Sequence, residues 1–381
     1  MFIKRYLDLN RFLKNKSIFF LGPRRTGKTH YILNQLKPDI IYDLLDSRQF
    51  LRLSQRPFLI EEEIKNNHQI VVIDEIQKLP IIMDQVHRLI ESKNIKFVLT
   101  GSSARKLKRT HTSLMAGRAK IILLMPFVYP EIKDFGFDIE RIIKYGTLPP
   151  IFLSSNPKDE LIDYVSTYIK EEIQYEAMVR NIESFSRFLN VAALSNAELI
   201  NFTQISSDSG VKQRTVIEYF KILEDTLIGN LLIPYKSEKE RKIYSRAKFY
   251  FFDIGVVNSI LNRFDVVKGT SDFGKLFEHF IFNELSAYKS YTGKIETINF
   301  WRDYYGNEVD FIINGEILIE VKSKDMVVER DIKGIYAFSK KHSNLKRKIV
   351  VSFDLRKRFL KDIEIIPYKE FLELLWNNEI L

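Results

Sequence analysis

The chain of 381 residues contains no cysteine, which excludes disulfides and thiolate metal sites and fits a reducing, cytoplasmic setting. It also has no apolar run near the ~20 residues that a membrane helix requires, so no membrane partner is expected. The longest such run, residues 121–130, is interrupted by Pro126 and Pro130. The opening stretch Met1-Phe2-Ile3-Lys4-Arg5-Tyr6 turns to charge at once and lacks the apolar core of a secretory signal. Internal repeats and long linkers are missing as well.

What is present belongs to a folded, multidomain protein. Hydrophobic residues make up 45% of the chain, enough for real cores at a length that predicts two or three domains. The net charge is +10, with an isoelectric point near 9.3. Such a surplus points to an anionic partner larger than a nucleotide, DNA or RNA, unless lysine-rich coding alone accounts for it.

One motif organises the N-terminal part. Gly22-Pro23-Arg24-Arg25-Thr26-Gly27-Lys28-Thr29 fits the phosphate-binding loop pattern G-x-x-x-x-G-K-[ST]. The glycines allow a tight turn that aims several backbone N–H groups at one point, and the helix that follows adds its positive end. Lys28 is placed for the β- and γ-phosphates of ATP, and the Thr29 hydroxyl for Mg²⁺. The apolar run Ser17-Ile18-Phe19-Phe20-Leu21 supplies the preceding strand, and residues 29–36 the following helix. Before the loop, residues 6–15 read as an amphipathic helix. After it come a strand at 40–44 and a charged helix over 48–65.

Gln69-Ile70-Val71-Val72-Ile73-Asp74-Glu75 is a β-branched run closed by two carboxylates, the Walker B pattern. Asp74 is expected to hold Mg²⁺ directly or through water, and Glu75 to polarise the attacking water. A strand from Lys96 ends in Thr100-Gly101-Ser102-Ser103 and should lie beside the Asp74 strand. Thr100 or Ser102 then reaches the γ-phosphate or the water. Residues 105–109 are basic, in the manner of a solvated face. Arg118, just before a strand over 119–124, either stabilises transition-state charge, in cis or from a neighbouring subunit of a homo-oligomer, or makes a structural salt bridge.

The middle of the chain reads as helices, with one over 163–178 that includes Glu171 and Glu172. Residues 204–211 give a short helix and a turn at Gly210, followed by a second helix over 212–225. Residues 231–234 and 242–244 are candidate wing strands, so the segment resembles a winged helix-turn-helix. Lys212, Gln213, Arg214 and Thr215 would head its second helix and face phosphate or base edges; alternatively the module only packs.

In the C-terminal part, a helix over 273–288 carries Glu278 and Glu284. Strands follow over 297–302, 307–313 and 316–322. Side chains alternate along a strand, so Glu320 and Lys322 share a face. Asp310 and Glu320 are candidate Mg²⁺ ligands, Glu278 a further carboxylate, and Lys322 the group that orients water or stabilises phosphate charge. Two more basic runs, 346–348 and 356–358, either track a phosphate backbone or are solvated. A last helix spans 368–376.

Several motifs together, GPRRTGKT, VVIDEIQKLP, LTGSSARKL, LMAGR and PFVYPEI, resemble a prokaryotic AAA-type P-loop ATPase family usually called only ATP-binding protein. FDIGVVNSIL, GKLFEHFIFNEL and NEVDFII with EVKSKD resemble that family's C-terminal domain of unknown function, which is related to PD-(D/E)XK nucleases. The resemblance implies an α/β architecture in three parts: an ATPase domain over 1–147, a helical and winged-helix region over 148–246, and a nuclease-like domain over 247–381. It leaves two functions open. One is Mg²⁺-dependent ATP hydrolysis coupled to nucleic-acid binding or cleavage. The other is a nucleotide-controlled switch with protein partners and a silent C-terminal domain. A protein-remodelling motor would need a closed ring and an aromatic pore loop, which the sequence does not display.

Overall fold

The computed structural model describes residues 2–65, 69–101, 119–169, 181–235 and 247–381. Ser102, Ser103, the 105–109 run, Arg118, Glu171, Glu172 and the 242–244 strand lie outside the described residues.

The N-terminal sheet is parallel and five-stranded: β1 (Ser17–Leu21), β2 (Ile40–Asp43), β3 (Ile70–Asp74), β4 (Lys96–Gly101) and β5 (Ala119–Leu123). Their order is β2-β3-β4-β1-β5. The strand ending in Thr100 therefore lies between the strand that feeds the glycine loop and the strand that ends in Asp74. Parallel strands covered on both faces need apolar side chains on both. Phe20, Val72 and Val98 accordingly enter one core, and Phe19, Val71 and Leu99 another.

Two helical expectations are corrected. Of residues 6–15 only Asn10–Leu13 is helical, while Ile3, Leu7 and Leu9 are buried ahead of it, outside any helix. The span 48–65 is two helices, Ser47–Gln55 and Leu59–Glu63, because Pro57 between them cannot continue a helix.

In the middle region α1 (Phe202–Ser209) ends at Gly210, whose φ of 65° closes the helix in the left-handed conformation. Next comes α2 (Gln213–Asp225), then β6 (Gly229–Leu232). The antiparallel partner of β6 is β7 (Lys248–Phe251), so this sheet crosses the expected boundary at 246/247.

The C-terminal part packs the long α3 (Ser271–Thr292) against a mixed six-stranded sheet. Its strands are β8 (Ile298–Arg302), β9 (Glu308–Ile313), β10 (Ile317–Val321), β11 (Arg347–Ser352), β12 (Arg358–Leu360) and β13 (Ile363–Pro367), in the order β12-β13-β11-β10-β9-β8. α4 (Tyr368–Trp376) closes the chain. One apolar core runs through all three parts and includes Phe127, Phe220 and Phe277. Among the described residues no helix is long and apolar enough to cross a membrane.

Candidate nucleotide site and a second acidic site

The glycine loop follows β1 and is shaped by its glycines. At Gly22 a Cβ would stand 2.5 Å from the Leu124 carbonyl oxygen, and Gly27 has φ of 93°. Thr26 is buried and its hydroxyl donates to the Pro23 carbonyl at 2.8 Å. Lys28 is 7% exposed, and its ammonium donates back to the carbonyls of Gly22 at 2.7 Å and Pro23 at 3.2 Å. These are neutral acceptors, weaker than the phosphate oxygens such an ammonium prefers. Thr29 is exposed and its hydroxyl lies 3.3 Å from Asp74 Oδ2. That pair of oxygens fits an octahedral Mg²⁺ site completed by water and phosphate.

Behind Asp74, the buried Thr100 hydroxyl donates to Asp74 Oδ1 and accepts from the Glu75 N–H at 3.0 Å. Its proton is engaged inside the protein, so Thr100 fixes the Asp74 carboxylate and the Glu75 backbone. Glu75 itself sits at φ 58°, ψ 47°, uncommon for a residue with a side chain and of the kind retained at functional sites. Gln77 Nε2 donates to its carboxylate. The sequence offered Gln77 only as a member of the DEIQ run; its role depends on the turn at Glu75 that folds it back.

Arg5 was not foreseen. It is fully buried and donates to the Thr26 carbonyl at 2.6 Å and the Met125 carbonyl at 2.6 Å. It also meets Glu131 at 3.0 Å and the Tyr291 hydroxyl, on α3, at 3.3 Å. Burial works against its charge, but Glu131 and Tyr291 hold its pKa above the ordinary value. Arg25 leans toward Glu160 at 3.6 Å, and the Tyr164 hydroxyl donates to the Arg24 carbonyl at 3.2 Å. Next to the loop is a cleft of about 350 Å³, lined by Phe2, Ile3, Gly27, Phe127, Pro149 and Leu153. Its apolar walls suit a purine base.

A second cluster forms where β7, α3, β9 and β10 meet. Lys248 extends its ammonium, with the side chain 4% exposed, to Glu278 at 2.8 Å, Glu308 at 2.5 Å and Asp310 at 3.9 Å. Burial opposes that charge, but Glu278, Tyr250, Asp310 and Glu308 drive the Lys248 pKa well up. The Tyr250 hydroxyl donates to Glu278 at 2.5 Å. Asp310 Oδ2 accepts from the Val321 N–H at 2.8 Å, which locks β9 to β10. Lys322 pairs with Glu320 Oε1 at 2.5 Å, while the buried Oε2 of Glu320 has no hydrogen-bond partner. Burial pushes Glu278 up to about 7 and Glu320 up to about 8, Asp310 adding to both. The structure thus brings Glu278, Asp310, Glu320 and Lys322 together, and adds Lys248 and Glu308.

Whether Mg²⁺ fits this second cluster is decided by Lys248. Among the described residues no group of three carboxylates or histidines is arranged to hold a metal. An ammonium already stands among Glu278, Glu308 and Asp310, and the orphaned Glu320 oxygen is one ligand only.

The basic runs are mostly neutralised. Lys346 meets Glu316 at 2.6 Å, Arg347 meets Glu364 at 2.8 Å and Lys348 meets Asp362 at 2.6 Å. Lys357 meets Glu364 at 3.2 Å and Arg358 meets Asp354 at 2.7 Å. Lys212, Gln213 and Arg214 at the head of α2 are exposed, Arg214 facing Glu218 at 3.7 Å across a solvated surface.

A parallel sheet with a glycine loop after its first strand and an Asp-Glu pair after its third is consistent with a P-loop NTPase domain. Residues 14–133 match the family model of the AAA domain, which specifies the class and points to ATP binding and hydrolysis. Residues 136–266 and 273–371 match two domains of unknown function, DUF8612 and DUF4143. No curated protein matches the chain. Among solved structures, the Bacillus subtilis DNA clamp loader delta protein aligns at 13% identity over 73% of this chain and 99% of that one, with a TM-score of 0.26, too low to carry an argument.

Proposed function

We propose that the protein is a Mg²⁺-dependent ATPase whose nucleotide state is coupled to binding of DNA or RNA. The observation that carries the reading is the Lys28, Thr29, Asp74, Glu75 and Thr100 constellation at one end of the sheet. Gly22 to Gly27 wrap the phosphates, and the adjoining apolar cleft takes the base. Lys28 exchanges the Gly22 and Pro23 carbonyls for phosphate oxygens. Thr29 and Asp74 are the residues that would hold Mg²⁺, which supplies charge neutralisation on the phosphates. Glu75, oriented by Gln77 and by its N–H bond to Thr100, polarises the attacking water. In this reading Arg118 supplies transition-state charge, in cis or from a second copy. The exposed head of α2 supports the nucleic-acid part, in the manner of a helix-turn-helix with β6 and β7 as its wing.

The test is ATP turnover together with DNA and RNA retention on a filter, with and without ATP and over a salt series. Turnover that Glu75→Gln removes and retention that falls steeply with salt are the expected results. Absence of turnover with Mg²⁺ present would defeat the enzyme reading, and absence of retention at low salt the nucleic-acid part.

The lysine-filled acidic cluster favours a second reading, a nucleotide-controlled switch in which the nuclease-like fold of the C-terminal part is catalytically silent. Arg5 offers a route for it, since it touches both the glycine loop and α3, which carries Glu278. Cleavage of DNA or RNA that Asp310→Ala or Lys322→Ala abolishes would overturn this reading in favour of a working nuclease.

A further inference from the structure

The middle region inserts a lysine into an acidic site built by the C-terminal part. β7 is short and pairs with β6, Leu232 opposite Lys248, rather than with the six-stranded sheet. Alternation along β7 turns Lys248 and Tyr250 the same way. Both reach Glu278 on α3. Glu308 and Asp310, two residues apart on β9, present their carboxylates to the same ammonium.

An ammonium has three donors and no preferred coordination sphere, and here carboxylates from α3 and β9 surround it. A Mg²⁺ ion would require near-octahedral oxygens at ~2.0–2.1 Å around one point. Both cannot occupy the space among Glu278, Glu308 and Asp310. The buried Glu320 Oε2, unpartnered and across the hairpin from Asp310, marks the side of the cluster that Lys248 leaves unfilled.

We propose that Lys248 is a permanent internal cation of this pocket, standing where a divalent ion would otherwise be recruited and excluding metal while it is present. Its removal leaves the buried Asp310 and the partly buried Glu278 without this ammonium, while Glu308 keeps only Arg302 at 3.3 Å. Such a pocket gains stability from a divalent cation that the intact pocket does not accept.

Manganese is the probe, with the full chain free of nucleotide. Electron paramagnetic resonance titration of the wild type is expected to show no bound Mn²⁺ that Glu320→Gln removes. Lys248→Met is expected to gain one Mn²⁺ at least ~10-fold tighter than any wild-type counterpart, and to lose it again in combination with Glu320→Gln. In EDTA the melting temperature of Lys248→Met falls, Mn²⁺ restores most of the loss, and Lys248→Arg stays indifferent to Mn²⁺. Wild-type Mn²⁺ binding that Glu320→Gln abolishes would overturn the proposal without requiring a folded Lys248 variant. So would a Lys248→Met protein that Mn²⁺ neither binds nor restores. The proposal deepens the switch reading, and the two fail separately: cleavage without Mn²⁺ uptake sinks the switch and leaves the internal cation standing.

Discussion

The two acidic sites of this molecule use the same residue types and differ in what their lysines do. In the N-terminal site Lys28 rests on two backbone carbonyls of its own loop, while Asp74 and Glu75 are held by Thr100 and Gln77. A phosphate can take the ammonium from these carbonyls, which are neutral acceptors. In the C-terminal site Lys248 and Lys322 lie directly on Glu278, Glu308 and Glu320. Drawing either lysine away would strand buried negative charge, which is far costlier than giving up a neutral hydrogen bond. A site is ready for chemistry when its cation is held by groups that can release it.

That contrast is broken most sharply at Glu75. Glu75→Gln is expected to lower ATP turnover by roughly 10²–10⁴-fold with nucleotide affinity unchanged, since a positioned base contributes about that much. Steady-state phosphate release and a fluorescent-nucleotide titration check both halves; undiminished turnover would remove Glu75 from the role.

Arg5→Ala comes next. It strips Glu131 of its buried partner, at a cost of about 3–5 kcal/mol, and frees the Thr26 carbonyl. Chemical denaturation reads the first effect and nucleotide affinity the second. A variant with wild-type stability would show that the ion pair is dispensable.

Lys28→Ala tests release directly. Loss of a charge-assisted contact to phosphate, worth ~1.5–3 kcal/mol, should weaken ATP binding ten- to a hundredfold. Because the Gly22 and Pro23 carbonyls that accept from Lys28 are neutral, the unliganded protein should melt close to the wild type. A large drop in melting temperature would put Lys28 in the same category as Lys248.

pH sharpens the comparison further. Burial raises Glu284 to about 8, with Trp376 and the Tyr129 N–H as its partners, and raises Asp253 to about 6. Glu278 and Glu320 are raised likewise. Between the ordinary carboxylate range and these values the folded chain binds more protons than the unfolded one. Stability therefore falls as pH rises through that window. Scanning calorimetry from pH 5 to pH 8.5 should record a fall on the order of 5–10 °C. A melting temperature that is flat or rises would contradict the burial of these groups.

The smallest effect concerns α2. If its exposed head contacts phosphates, Lys212→Ala should reduce the slope of log affinity against log salt by about 1 and weaken all sequences alike. An unchanged slope would assign α2 to packing.

The glycine loop was legible because its chemistry is contiguous: eight neighbouring residues carry the turn, the lysine and the threonine. The β9–β10 hairpin was legible for a related reason, since alternation puts Glu320 and Lys322 on one face and the short connection returns Asp310 to them. Of the strands expected over 231–234 and 242–244, the first is β6, which starts at Gly229 and pairs with β7, and the second lies outside the described residues.

Composition and local pattern alone determined the class of the first domain, the residues of its glycine loop and the carboxylates of the second cluster. They could do so because backbone turns and strand alternation are local. Only the tertiary structure decided that Thr100 is spent on Asp74 and Glu75, that Arg5 ties the glycine loop to α3, and that Lys248 fills the second pocket. Each of these rests on a buried charge or hydroxyl finding a partner far along the chain, 286 residues away from Arg5 in the case of Tyr291. No periodicity encodes such a partnership; it is chosen when the core closes and every buried polar group must be satisfied.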